Sequence, residues 1–164
     1  MPLSGDPVAQ AREHWVAHGW ERAAPGMAAV TSLMRAQQIM LGRVESVLRR
    51  FDVTFARYEV LMLLLFSRSG ALPMRVIGER LQVHPTSVTN AVDRLELAGL
   101  VRREPHPTDR RTTLVTLTRE GRSVAQRATR ALNLEVFEQP GIPQDSLQEL
   151  IEVLARFRRE AGDF

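Results

Sequence analysis

The chain has 164 residues and no cysteine, so we expect one domain with neither a disulfide framework nor a thiolate metal site. Its longest apolar run, from Val60 to Phe66, is much shorter than the roughly 18 residues that cross a bilayer. The first residues lack the basic and apolar regions of a secretory signal. These features predict a soluble, cytoplasmic protein without a membrane partner.

The positive charge is concentrated in the middle of the chain. The sequence contains 22 basic residues, all of them arginine, against 19 acidic ones, which gives a net charge of +3. Residues 54–118 hold nine arginines and six acids, whereas residues 1–53 carry a net +1 and residues 119–164 a net −1. A basic centre between nearly neutral flanks indicates a polyanionic partner.

The first third of the chain predicts three helices. A short helix ends near Gly19, and Pro25-Gly26 is expected to separate it from the next. Apolar residues at steps of three and four predict a long amphipathic helix over 27–51. Thr54 is a suitable N-cap for a third helix over 55–67, which is apolar nearly all round and therefore central to the core.

The basic middle segment then predicts two short helices joined by a tight turn. The first covers residues 74–81, and the second covers 85–98, with Pro85 in its first turn and Gly99 as a left-handed C-cap. Val88, Val92 and Leu95 form the buried side of the second helix. Two helices in this arrangement are typical of a helix-turn-helix unit.

After Gly99 the apolar period changes from 3.6 to 2. A strand over 101–103 and a returning strand over 113–117 predict a β-hairpin, the only strand region that we expect. Helices over 119–137, capped by Thr118, and over 144–160 complete the chain. The predicted fold class is mainly α with a small β-wing.

The exposed side of the 85–98 helix carries residue types that bind DNA. Short polar side chains allow close approach, asparagine can pair with adenine, and a helix N-terminus attracts phosphate. A polar helix face is also an ordinary solvated surface, so this pattern alone decides nothing. The candidate DNA contacts of this helix are His84, Thr86, Ser87, Thr89, Asn90 and Arg94, with a helix-capping role as the alternative for His84.

The turn of the hairpin provides the second candidate contact. Asp109, Arg110 and Arg111 lie at its tip, and Arg102 and Arg103 lie on the opposite arm. An arginine on such a turn can enter a narrow minor groove, and a carboxylate two residues earlier could hold its guanidinium. A basic hairpin directly after a polar helix makes DNA binding the better explanation of both.

Two segments resemble the MarR family of bacterial transcription regulators. They are RLQVHPTSVTNAVDRLELAGLVRR, from Arg80 to Arg103, and PTDRRTTLVTLTREG, from Pro107 to Gly121. The resemblance implies a single MarR-type domain over 1–164, with a winged helix-turn-helix over 54–118 and dimerisation helices in 1–53 and 119–164. It also implies that Asp109 orients the wing arginine and that Arg111 reaches the minor groove.

The same resemblance implies a homodimeric repressor that binds a palindromic operator and is released by a small-molecule effector. The extra N-terminal helix with Trp15 resembles the urate-responsive branch of the family. That branch has an aspartate early in the third helix where this chain has Glu59, so we do not expect urate itself.

A candidate effector pocket would lie between the dimerisation helices and the winged module. Arg35, Arg43 or Glu59 at its edge could hold an anionic or phenolic ligand. Taken singly, each apolar member of the pocket is better explained by ordinary core packing. The predicted lining consists of Met40, Phe51, Tyr58, Met62 and Trp15.

Other chemistry is weakly represented. His14 and His18 have the i, i+4 spacing of metal ligands but lack further partners, so we expect no metal and no other cofactor. The chain has no phosphate-binding loop, nucleophile elbow or metalloprotease motif, so we do not expect an enzyme. The alternatives to a ligand-responsive regulator are an effector-independent architectural DNA-binding protein and a helical protein-interaction module.

Overall fold

The computed structural model describes residues 5–109 and 111–164. Helices and one small sheet follow each other in the predicted order, which confirms a mainly α fold with a β-wing. The helices are α1 (Pro7–Ala17), α2 (Ala24–Leu48), α3 (Phe55–Phe66), α4 (Met74–Leu81), α5 (Pro85–Leu97), α6 (Arg119–Leu132) and α7 (Leu147–Glu160). The strands are β1 (Ala71–Pro73), β2 (Val101–Pro105) and β3 (Thr113–Leu117). A π-helical turn, Asn133–Phe137, extends α6, and a 3₁₀ turn, Gln144–Ser146, precedes α7.

The helix ends follow the predicted capping residues, with one correction. Thr54 Oγ1 accepts the backbone N–H of Arg57 at 3.4 Å, and Thr118 Oγ1 accepts that of Gly121 at 2.9 Å. Gly99 follows α5 with φ of +70°. The predicted break at Pro25-Gly26 is wrong: α2 begins at Ala24, because proline in a first helical turn has no intrahelical N–H bond to lose.

The sheet has a strand that the periodicity did not predict. Its three antiparallel strands lie in the order β1-β3-β2, so the hairpin is not the only strand region. Leu72 of β1 lies opposite Val115, and Arg103 of β2 lies opposite Val115 on the other side. Three residues that end in proline are too few to show an alternating pattern, and β1 is defined by a partner strand about 40 residues later in the chain.

The core forms around α3, as its all-round apolar character predicts. Val60, Leu61 and Leu64 are fully buried. Ile77 of α4 and the predicted inner side of α5 join the same cluster, as do buried residues of α6. Within residues 5–109 and 111–164, none of the helices combines the length and hydropathy that a membrane crossing requires.

Two helices keep large apolar surfaces outside this core. Met34 and Ile39 of α2 are 64% and 62% exposed. In α7 none of the residues is buried, and Ile151 and Phe157 are 58% and 59% exposed. Isolated exposed apolar residues are common, but an entire amphipathic helix without a buried face indicates a missing partner surface.

Candidate nucleic-acid interface

The α4–α5 pair has the geometry of a tight helix-turn-helix. Gln82 ends α4 in the left-handed region, with φ of +53°, and this reverses the chain within a few residues. A Cβ on Gly78 would lie 3.3 Å from Val88, so glycine permits the two helices to approach closely. His84 Nδ1 accepts the backbone N–H of Thr86 at 3.2 Å and thus caps α5.

The predicted contact residues of α5 are exposed to solvent. The buried side of α5 consists of Val88, Val92 and Leu95, as predicted. The Thr89 hydroxyl donates to the Pro85 carbonyl at 3.0 Å, one turn earlier in the helix. All six predicted contacts of the helix are exposed, namely His84 at its N-cap and Thr86, Ser87, Thr89, Asn90 and Arg94.

Asp109 organises the wing turn through the backbone. Its Oδ1 accepts the backbone N–H of Arg111 at 3.0 Å, and its Oδ2 accepts the Thr112 hydroxyl at 2.7 Å. The pKa of Asp109 is lowered below its ordinary value, most of all by the hydrogen bond from the Thr112 hydroxyl. The backbone N–H of Arg111 and the nearby His106 lower it further. Among the described residues Asp109 forms no ion pair with the Arg111 guanidinium, so the carboxylate shapes the turn instead of holding the arginine head. The predicted contact Arg110 lies outside the described residues.

The wing and α5 are connected by the start of α4. Met74 and Arg75 line one cleft with His106, Arg111 and Thr112 of the wing. The same two residues line a second cleft with Pro85, Val88 and Thr89 of α5. Arg75 therefore lies between the wing tip and the beginning of α5. Of the predicted contacts, Arg111 lines the first cleft and Thr89 lines the second, and Met74 and Arg75 are common to both.

Arg102 and Arg103, the two arginines on the arm opposite the wing tip, are in different situations. Arg102 pairs with Glu104 on its own strand, at 2.5 Å, and its side chain is 58% exposed. Arg103 pairs with both Asp93 and Glu96 of α5, at 2.5 Å each, and its side chain is 26% exposed. The prediction treated both as basic surface, whereas the charge of Arg103 is neutralised within the protein.

Two features of this surface were absent from the predicted site. One is Arg75, which the sequence presents only as one more exposed helix residue. The other is the cluster of Arg103, Asp93 and Glu96. The sequence does contain a signal for the cluster. Asp93 and Glu96 lie at i, i+3 on one side of a helix, and Arg103 shares a strand face with the buried Val101, two residues earlier.

A groove between α2 and α3 contains part of the predicted effector pocket. It includes two predicted residues, Met40 and Glu59, together with Glu45, and its volume is about 490 Å³. Burial raises the pKa of Glu59 above its ordinary value. Glu45 Oε1 accepts the backbone N–H of Phe55 at 2.8 Å. The other residues that line the groove are Gln37, Leu41, Val44, Thr54, Phe55 and Ala56.

The remaining residues of the predicted pocket lie elsewhere. The Tyr58 hydroxyl is 2.9 Å from Thr129 Oγ1, which also lies 3.2 Å from Met62 Sδ. Tyr58 is buried, and Met62 and Phe51 pack against the core. Trp15 contacts Trp20 edge to face, with ring centroids 5.3 Å apart.

The two arginines expected at the pocket edge do not border the groove either. Arg43 donates to the carbonyls of Gln139 and Pro140, at 2.6 Å each, and so fastens the loop that follows the π-helical turn to α2. Arg35 lies on the exposed side of α2.

His14 and His18 lie one turn apart at the end of α1, where His18 contacts the helix backbone. His18 Nδ1 lies 2.7 Å from the His14 carbonyl, and the His18 ring stacks on Trp20 with centroids 5.4 Å apart. In the part of the chain that the structure describes, no three His, Asp or Glu side chains are grouped as metal ligands.

An exposed polar helix after a tight turn, followed by a basic β-hairpin, defines the class of winged helix-turn-helix DNA-binding proteins. Comparison with known proteins agrees. A MarR family model matches residues 51–112. The curated transcriptional regulator PrsX of Escherichia coli is 32% identical over 121 residues, which are 74% of this chain and 73% of PrsX. The chain belongs to the MarR family of transcriptional regulators.

Two solved structures extend the comparison. Sco5413, a MarR family regulator from Streptomyces coelicolor, is 52% identical with a TM-score of 0.78, and the match covers 85% of this chain and 97% of Sco5413. CouR from Rhodococcus jostii RHA1, bound to p-coumaroyl-CoA, is 28% identical with a TM-score of 0.64, over 74% of this chain and 85% of CouR. CouR has also been solved as a transcriptional repressor bound to a 23-mer DNA duplex, at 25% identity and a TM-score of 0.71, over 77% of this chain and 89% of CouR.

Proposed function

We propose that this protein is a homodimeric, ligand-responsive repressor in which α5 enters the major groove of a palindromic operator and Arg111 enters the adjacent minor groove. The observation that carries this proposal is the connected surface from α5 through Arg75 to the wing tip. Thr86, Ser87, Thr89, Asn90 and Arg94 supply hydrogen-bonding groups to bases and phosphates, with the N-terminus of α5 directed at the backbone.

Dimerisation is supported by the apolar surface that one chain leaves uncovered. Met34 and Ile39 of α2 and Leu134 and Phe137 of the π-helical turn are exposed, and α7 has no buried residue. We assign residues 1–53 and 119–164 to the interface and residues 54–118 to DNA binding. Two-fold symmetry would place the two α5 helices about 34 Å apart, one turn of the duplex.

Effector binding is proposed for the groove between α2 and α3. Met40, Val44 and Phe55 provide apolar contact, and Glu59 provides a hydrogen-bond acceptor. Because Glu45 and Glu59 line the groove and neither Arg35 nor Arg43 does, a phenolic ligand suits it better than an anionic one. The ligand-bound CouR structure supports small-molecule binding by a relative of this chain.

Selection from random DNA tests the operator proposal. The purified protein is mixed with duplexes that contain a randomised region of about 30 base pairs, and the retained fragments are sequenced. We expect an inverted repeat whose half-site centres are about 10 base pairs apart. No enrichment, or enrichment of a single isolated half-site, would refute the dimeric operator model and favour the architectural alternative or the protein-interaction module.

The effector proposal is tested with the selected operator. A panel of phenols and matched phenolic acids is added to the complex, and the remaining bound fraction is measured. We expect release by members of the phenol series and weaker release after Glu59→Ala. Release that is identical in wild type and Glu59→Ala would remove the groove between α2 and α3 from the mechanism.

A further inference from the structure

The cluster of Arg103, Asp93 and Glu96 joins the two elements that are proposed to enter different grooves. Asp93 and Glu96 lie on successive turns of α5, and Arg103 lies on β2 of the wing. The Arg103 Nη2 atom contacts Asp93 Oδ1 and its Nη1 atom contacts Glu96 Oε2, both at 2.5 Å. One guanidinium therefore bridges two like charges that would otherwise repel each other.

The backbone strengthens this connection. β2 is an edge strand, so part of its backbone has no strand partner. Glu96 Oε1 accepts the Arg103 backbone N–H at 2.7 Å, and Glu96 thus holds both the main chain and the side chain of one residue. These bonds lower the pKa of Glu96, and the same two carboxylates raise the pKa of Arg103 against the opposing effect of burial.

The position of Arg103 in the sheet distinguishes it from the exposed Arg102. Arg103 lies opposite the buried Val115 and two residues after the buried Val101, so it shares the inner face of β2 with Val101. Arg102 occupies the other face and is more exposed. The fork of Arg103 already has two carboxylate partners and is turned toward α5.

We propose that Arg103 is a positioning residue that fixes the wing relative to α5, so that both grooves of one half-site are engaged together, and that it is not a phosphate contact. The proposal rests on the proposed operator binding. It predicts that losing Arg103 loosens the wing and weakens specific binding without removing an ionic contact to DNA. The effect is carried through β2 to Arg111, eight residues later in the chain.

The test compares Arg103→Gln and Glu96→Gln, because the two interpretations predict opposite effects for the second variant. If Arg103 positions the wing, both variants weaken operator binding, by about tenfold, and the double variant is no weaker than Arg103→Gln alone. If Arg103 contacts phosphate, Glu96→Gln removes a repulsive charge and tightens binding. Glu79→Gln is the matched charge control, because Glu79 pairs with Arg75 on α4 and its loss likewise frees an arginine of the proposed surface; it should not weaken binding.

Salt dependence gives a second, independent readout. A positioning role leaves the slope of log K against log salt unchanged in Arg103→Gln, whereas loss of a phosphate contact reduces its magnitude by about 0.9. A reduced slope together with tighter binding by Glu96→Gln than by Glu79→Gln would overturn the proposal.

Hydrogen exchange without DNA separates this proposal from the operator model. We expect Arg103→Gln to accelerate amide exchange in β2 and β3 while the core helix α3 remains protected. Unchanged exchange in the wing would overturn the positioning role whatever the DNA result. If the wild type selects no operator, the proposed function fails, and wing exchange still reports whether the cluster holds the two elements together.

Discussion

Gly121 in the first turn of α6 is predicted to be the most sensitive glycine of the described chain. A Cβ at this position would overlap the carbonyl oxygen of Leu100 and would lie 2.9 Å from both the Leu100 carbonyl carbon and Leu117 Cδ1. Ordinary van der Waals contact begins at 3.4 Å. The Leu100 carbonyl carbon would therefore have to move away by 0.5 Å, and the Leu100 carbonyl oxygen by more. Neither backbone atom can move away by a rotamer change.

The displaced segment is also held by hydrogen bonds. Thr118 Oγ1 donates to the carbonyls of Gly99 and Leu100, at 2.8 and 3.0 Å, and the Thr118 backbone N–H also reaches the Leu100 carbonyl, at 3.1 Å. Overpacking of this kind costs about 3 kcal/mol or more when backbone has to shift. For a chain of this length that corresponds to a fall in Tm of roughly 6–12 °C.

Thermal unfolding of Gly121→Ala at fixed protein concentration measures this cost, since the melting of a dimer depends on concentration. Gly42→Ala is the control: Gly42 lies on the polar side of α2 and has open space around its Cβ position. The control should gain about 0.5–1 kcal/mol from reduced backbone entropy. A Gly121→Ala protein as stable as Gly42→Ala would refute the close packing of α6 on Leu100.

Three further predictions follow from the site. Arg111→Ala should weaken binding to operator and to random DNA alike, and should reduce the magnitude of the slope of log K against log salt by about 0.9. Asn90→Ala should cost about 1–3 kcal/mol of binding free energy on the operator only. Equal losses on both DNAs would remove Asn90 from base reading. Phe157→Glu should convert the dimer to monomer in analytical ultracentrifugation, because it places a charge in the proposed apolar interface. The control Glu160→Gln, at the exposed end of α7, should leave the dimer intact. A dimeric Phe157→Glu protein would exclude α7 from the contact. Because the pKa of Glu96 is lowered in the folded protein, the ionised carboxylate stabilises the fold fully above the ordinary glutamate pKa of about 4.3, and this effect is lost as pH falls through the lower folded-state value. The Tm difference between wild type and Glu96→Gln should therefore be constant above about pH 5 and shrink toward pH 3. A difference that grows on acidification would contradict the assigned hydrogen bonds.

Local chemistry made most of the fold predictable. Thr54, Thr118 and Gly99 mark helix ends through hydrogen bonds and backbone angles that depend on a few neighbouring residues. The exposed polar face of α5 followed from the buried spacing of Val88, Val92 and Leu95. These features can be read from the sequence because each needs only one turn of chain.

The features that were missed depend on contacts between distant segments. β1 is a strand only because β3 pairs with it, and Arg103 is neutralised only because β2 lies beside α5. Arg43 was expected at a ligand, yet it holds a loop 96 and 97 residues away in sequence. An arginine in a sequence has a known charge, but its partner is determined by the tertiary packing.

Directed DNA cleavage tests whether α5 and the wing occupy adjacent grooves. The chain has no cysteine, so a single introduced one can carry an iron chelate. Labels are attached at Leu97→Cys at the end of α5 and at Thr113→Cys beside the wing tip, both at exposed positions. We expect cleavage by the α5 label within each half-site. The wing label should cleave about 5 base pairs further out, half a duplex turn away in the neighbouring minor groove. Cleavage at the same base pairs from both labels, or none from the wing label on a fully bound operator, would show that the two elements do not occupy adjacent grooves.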